Sequence, residues 1–177
     1  MKKLLLVTVL MVASVAAYSQ GTLNFANFVT VTPPGISVNA PVFNVDGTTR
    51  LAGSQFQAIL YGGPNANSLQ AMGSALGFST GAGAGYFIGG QRIVTTVPGN
   101  TTAVLQVRAW DSLSGLTWDT ATIRGQSPIL QLILGQAPAT PPNMVGLQSF
   151  NLVVVPEPST IALAMLGAAA LFLRRRQ

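Results

Sequence analysis

The groups able to move protons in this chain are Asp46, Asp111, Asp119 and Glu157, with no His and no Cys among 177 residues. Without those two types there is no zinc set of the usual kind, no haem attachment, no thiol or imidazole nucleophile and no Ser-His-Asp relay. Paired carboxylates can hydrolyse glycosides, and Asp46, Asp111 and Asp119 are the body's only candidates. Asp46 is accounted for by an Asp46-Gly47 turn, and Asp119 is expected near a helix N-terminus. The chain therefore reads as a non-enzyme, with no catalytic residue, no cofactor and no metal ligand set. Asp111 and Asp119 flank the Ser112–Thr117 loop, but calcium needs several oxygen ligands and no Asp-x-Asp-x-Asp-Gly pattern supplies them. Gly81-Ala82-Gly83-Ala84-Gly85 has the glycine content of a phosphate loop, yet no Lys follows it and no strand-to-helix unit surrounds it; it reads as a flexible connection before Tyr86. Trp110 and Trp118, with Tyr61 and Tyr86, would stack on sugar rings if exposed on one face, although a buried Trp between sheets is commoner. Thr95-Thr96 and Thr101-Thr102 would suit a flat ice-binding face, but Thr is also simply a good strand residue.

Charge narrows the partners. Lys plus Arg number 9 and Asp plus Glu number 4, a net charge of +5. Lys2 and Lys3 stand at one end and Arg174, Arg175 and Arg176 at the other, and they carry all of it. Arg50, Arg92, Arg108 and Arg124 balance the four carboxylates. A nucleic-acid binder gathers its cations on one face of a folded domain. This body is close to neutral, so nucleic acid is excluded as a partner. Charged residues are 7% of the chain and mean hydropathy is +0.47, which directs attention to membrane segments at the ends.

The N-terminus reads as a secretory signal over residues 1–19. Lys2-Lys3 precedes an apolar run from Leu4 to Ala17, and Ala17-Tyr18-Ser19 fits the small-x-small rule, with cleavage after Ser19. The run is too short for a span of roughly 20 residues. Export through the secretory translocon follows, and the absence of Cys means that an exported domain is built without disulfides.

The C-terminus, residues 156–177, has three pieces in succession. Pro156-Glu157-Pro158 removes two backbone donors and keeps the chain extended. Ser159 or Thr160 caps a helix that is apolar through Leu173, a predicted transmembrane helix over about 160–173. Arg174, Arg175 and Arg176 then stop it, and clustered positive charge beside a span stays cytoplasmic. The apolar stretch of about 14 residues is short for a span, and arginine snorkelling and local thinning cover part of the shortfall.

Val155-Pro156-Glu157-Pro158-Ser159-Thr160, the apolar helix and the terminal arginines resemble the PEP-CTERM protein-sorting signal of Gram-negative bacteria, a tail also labelled an ice-binding protein C-terminal domain. The resemblance implies an exosortase as partner, an integral-membrane, Cys transpeptidase-like enzyme that cuts near the Pro-Glu-Pro motif. It also implies an inner-membrane precursor, then an outer-surface or extracellular destination, often alongside exopolysaccharide. Gly21-Thr22-Leu23-Asn24-Phe25, Leu60-Tyr61-Gly62-Gly63-Pro64, Gln106-Val107-Arg108-Ala109-Trp110-Asp111 and Gly146-Leu147-Gln148-Ser149-Phe150 resemble pieces of Verrucomicrobia-type surface proteins with this tail. That likeness brings no activity with it. Two roles stand: a structural or adhesive matrix component, and, as the alternative, a carbohydrate-binding module.

Between the two signals, residues 20–155 must fold as one domain. Apolar residues there recur with period two, the strand signature. Phe56, Ala58 and Leu60 fall on one face of Gln55–Tyr61. Ala103, Leu105, Val107 and Ala109 fall on one face of Thr102–Trp110, with Gln106, Arg108 and Trp110 opposite. Further strands are expected at Thr22–Phe28, Val42–Val45, Thr48–Leu51, Tyr86–Ile88, Arg92–Val97, Ile129–Leu134 and Leu147–Val155. Asp46-Gly47 is a hairpin signal, while Gly62–Asn65 and Pro98–Asn100 are turns. Thr117–Gly125 is predicted as one short helix, capped by Thr117 and stopped by Gly125. Pro138–Pro142 is a stiff loop. The expectation is an all-β protein, an antiparallel β-sandwich with Phe56, Leu60, Leu105 and Val107 buried together, flanked by a signal helix and a transmembrane helix.

Overall fold

The computed structural model describes residues 20–30, 38–156 and 165. The signal segment 1–19, Glu157, Pro158 and the arginines at 174–176 lie outside them. So does the predicted transmembrane helix, save Met165, which is helical and exposed. Among the described residues no helix is long and apolar enough to cross a membrane.

The described chain is all-β. Its strands are β1 (Gln20–Ala26), β2 (Phe28–Val29), β3 (Val38–Asn39), β4 (Val42–Phe43), β5 (Gly53–Gly63), β6 (Gln70–Phe78), β7 (Ile88–Pro98), β8 (Thr102–Asp111), β9 (Ile123–Gln126), β10 (Leu130–Ile133), β11 (Phe150–Asn151) and β12 (Val153–Val154). The largest sheet runs β12-β9-β8-β5-β6, with β10 also paired to β8. β5 and β8, the long alternating segments, lie at its centre, where both edges of β5 are hydrogen-bonded. Their register sets Ala58 against Ala109, Leu60 against Val107 and Gly62 against Leu105.

Period two decides which face is buried. Ala58, Leu60, Ala103, Leu105, Val107 and Ala109 join one core with Leu23, Phe25, Val94 and Val97 of the separate β1-β7 pair. Phe25, Phe78 and Phe87 interlock there, Phe25 to Phe87 at 4.6 Å and Phe78 to Phe87 edge-on at 5.7 Å. Phe56, at the end of β5, is only partly buried against this cluster. The loop from Gln136 to Gln148 also contributes to the core: Met144 is fully buried, and Asn24 N–H donates to Pro142 O.

Four expectations are corrected. First, the pairing is not wholly antiparallel, since β11 runs parallel to β4 with Phe150 opposite Val42. Second, no helix forms at Thr117–Gly125. Thr117 O accepts from Ala121 N–H for a single turn, and Ile123 then enters β9, where Gly125 pairs with Ala109. One turn cannot repay helix nucleation when a sheet edge offers full ladder bonds. Third, Thr48–Leu51 is not a strand. The Asp46-Gly47 hairpin does form, but Asp46 draws the amides of Thr48 and Thr49 into its own turn, leaving only an Arg50–Phe43 bridge. Fourth, Gly81–Gly83 is a defined 3₁₀ turn.

Candidate functional site

Three places carry the residues singled out by sequence: the exit of the chain into the Pro-Glu-Pro segment, the carboxylates, and the aromatic face.

At the exit, β12 pairs antiparallel with β9, Val153 opposite Arg124 and Val154 opposite Ile123. Val155 N–H makes one more bond, 2.7 Å, to Thr122 O. Val153, Val154 and Pro156 are exposed. The Pro-Glu-Pro segment thus leaves the body from a short edge strand, not from inside the fold. Glu157, Pro158, Arg174, Arg175, Arg176, Ala17 and Ser19 fall outside the described residues, so of the sorting residues only Pro156 is placed.

The body carboxylates are spread across the fold. Asp46 is exposed; its carboxylate accepts from Thr48 N–H (3.0 Å), Thr49 N–H (2.9 Å) and Thr49 Oγ1 (2.5 Å). Those bonds, the Thr49 hydroxyl first, hold its pKa down at about 2. Asp111 is buried at the end of β8, where Gln55 Nε2 reaches both carboxylate oxygens at 3.1 Å and Leu113 N–H donates at 2.9 Å. Asp119 is exposed, and Arg124 reaches its backbone carbonyl (2.6 Å), not its side chain. Among the described residues no group of three or more His, Cys, Asp or Glu gathers.

The aromatic residues form no open platform. Trp110 is 5% exposed, and its indole N–H is buried without a hydrogen-bond partner. Trp118, on the Ser112–Ala121 loop, is half-buried and donates to Gly125 O at 2.9 Å. Sequence reasoning missed the partner of these rings. The outer face of the main sheet carries a ladder in which Arg108 Cζ lies 3.8 Å from the Tyr61 ring centre and 4.2 Å from that of Trp118, and Arg124 Cζ lies 4.6 Å from Trp118. The alternation that put Arg108 opposite the core was the available signal; Arg124 was hidden by the helix prediction. Tyr86 lies elsewhere, against Phe28 at 4.8 Å and under Arg50. Nor do the threonines make one flat face. Thr95 is exposed while Thr96, its neighbour in β7, is half-buried with its hydroxyl unpartnered, as period two dictates, and Thr101 Oγ1 is turned to Pro98 O at 2.7 Å.

Residues 154–176 match the PEP-CTERM protein-sorting motif. Proteins with this motif are exported and associated with the cell surface in Gram-negative bacteria, and the motif implies exosortase processing. No curated protein and no solved structure matches the chain. The match begins at Val154, inside β12, so the sorting segment and the folded body share their boundary strand.

Proposed function

We propose that this chain is a surface or matrix protein with a non-catalytic, structural or adhesive role alongside exopolysaccharide. In this reading the signal segment is removed near Ser19 and the two-layered body is a β-sandwich. The tail pauses in the inner membrane through an apolar helix over 160–173, stopped by Arg174, Arg175 and Arg176, and an exosortase cuts it near Pro156-Glu157-Pro158. The match over 154–176 carries the reading, and the exposed exit at Pro156 supports it. The engagement of Asp46 and Asp111 in their own turns supports a non-catalytic body. A carbohydrate-binding module built on a coplanar Trp pair is the weaker reading, because Trp110 is buried and arginines lie over Trp118.

Intact-mass analysis of the protein recovered from its own host, with and without the exosortase, tests the proposal. The expected mature chain begins at Gln20 and ends near Pro158, whereas the strain lacking the enzyme retains Gln177. A mature chain that still ends at Gln177 in the wild-type host would overturn it.

A further inference from the structure

We propose that the Ser112–Ala121 loop is a lipid-docking surface that seats the folded body on the bilayer while the tail is held there. The inference rests on the anchored-tail reading above and adds a second contact between the chain and the membrane.

The loop carries two apolar side chains with nothing to pack on: Leu113 is 81% exposed and Leu116 is 88% exposed. It is nonetheless tightly built. Ser112 N–H and Oγ both donate to Gln55 O, Ser114 N–H donates to Asp111 O, and Thr117 O accepts from the amides of Thr120 and Ala121. Both leucines are therefore presented by a loop whose backbone is fixed at its base and across its turn.

The loop also stands beside the point where the chain departs. Ser114 Oγ accepts from Ile123 N–H at 3.0 Å, and Ser114 O accepts from Thr122 N–H. Ile123 is opposite Val154, and Thr122 O holds Val155 N–H. Only five residues lie between Val155 and Ile161, where the apolar run of the tail begins, a reach of at most about 20 Å over the six steps. A body tethered that closely to a bilayer must bring the end that carries Leu113 and Leu116 toward it. Exposed Val154 lies at the same end.

The chemistry next to the leucines fits an interface between hydrocarbon and headgroup. Trp118 follows Leu116 by two residues, and an indole favours headgroup depth. Arg108 and Arg124 lie over that ring and can meet lipid phosphates, and Arg side chains keep their charge at an interface. Asp119 is the one exposed carboxylate of the loop; Asp111, at its base, is buried against Gln55. The occupant is therefore a phospholipid surface, with the leucines entering the acyl boundary and the arginines at the phosphates.

The test uses the signal-cleaved chain with its tail, residues 20–177, in vesicles of phosphatidylethanolamine and phosphatidylglycerol, in a Trp110→Phe background so that Trp118 is the only tryptophan. Trp110→Phe removes a buried N–H that has no partner. Brominated phospholipid should lower Trp118 emission by roughly half, as expected of an indole at headgroup depth. Leu113→Ser with Leu116→Ser, both at exposed positions, should abolish most of that quenching while the chain still floats with the vesicles and keeps its β-sheet spectrum. Flotation without quenching overturns the docking and leaves the anchored tail standing. So does quenching that the double Ser variant leaves unchanged. Self-association that the Ser variant removes, with no lipid quenching, overturns it in favour of a second copy as occupant. Failure to float at all overturns the anchored tail, and the docking with it.

Discussion

Replacing Asn27 should cost more stability than any other single polar change in the body. Asn27 is fully buried, in the step between β1 and β2. Its Nδ2 donates to Ala40 O at 2.8 Å and to Gly85 O at 2.9 Å, and its Oδ1 accepts from Phe87 N–H at 2.7 Å. One side chain thus satisfies backbone groups of two segments distant in sequence, beside the Phe25–Phe87 packing. Asn27→Ala removes all three bonds and strands the Ala40 carbonyl and the Phe87 amide, while Gly85 O keeps its bond from Val42 N–H. An unsatisfied buried group costs about 1–3 kcal/mol, and partial entry of water favours the low end, so the sum for the two groups is about 2–4 kcal/mol. That is a large share of a total stability of about 5–15 kcal/mol. With a urea slope of about 2 kcal/mol/M, the midpoint for residues 20–156 should fall by about 1–2 M. Asn39→Ala is the control, because Asn39 is exposed and accepts only from Tyr86 Oη; it should shift stability by less than about 0.5 kcal/mol. Asn27→Asp should also destabilise at neutral pH, since it loses both donors and buries a charge, and should recover in part in acid as the carboxyl regains a proton to donate. A midpoint for Asn27→Ala within about 0.3 M of wild type, at unchanged slope, would refute the reasoning.

Two further outcomes follow from single residues. The Asp46 turn should hold above pH 3.8, its ordinary value, and loosen as pH falls through its folded pKa of about 2, because the charged form is the one that the Thr48 and Thr49 donors bind; an Asp46 carboxyl titration by NMR with a midpoint near 4 contradicts this. Gly125→Ala would drive a Cβ into the carbonyl of Asn151, with Leu152 Cα 3.1 Å away, where only backbone can yield. The cost should be about 1–3 kcal/mol, read as a fall in Tm of roughly 3–10 °C for a body of this size, and an unchanged Tm would show that β12 shifts freely.

Much of the sheet was legible because β5 and β8 alternate cleanly, and two inward rows of Ala, Leu and Val leave one choice of face. β6 was not, because five of the nine residues of Gln70–Phe78 are Gly, Ser or Ala and none is β-branched; its strand state comes from the open edge of β5. β9 was misread as helix because Thr117 and Gly125 carry the punctuation of one, and only the β8 edge overrides it. Asn27 looked like any polar residue between two Phe. Its role depends on Ala40, Gly85 and Phe87 arriving from elsewhere, and no local pattern announces that. At the sorting end the position is reversed. The sorting motif matched over 154–176 was legible because a peptide signal acts through its own order of residues, whereas the aromatic ladder required three segments to meet.

The exit also explains how a folded body and a peptide signal can share a boundary without interfering. β12 contributes two residues to the β9 edge, and Val155 adds a last amide bond to Thr122 O. Successive amides of a strand point to opposite sides, so Val155 N–H faces β9 while Leu152 N–H faces Phe43 O, and the donor that Pro156 lacks would have faced away from β9. The first Pro of the motif therefore denies a donor to the outer side of the strand, where a further strand would otherwise add. Folding can run to completion up to Val155 without calling on a donor at Pro156. Folding and sorting then need no fixed order. The body gains its stability from a core that ends at Leu152, and the exposed strand after it is free to serve a second reader.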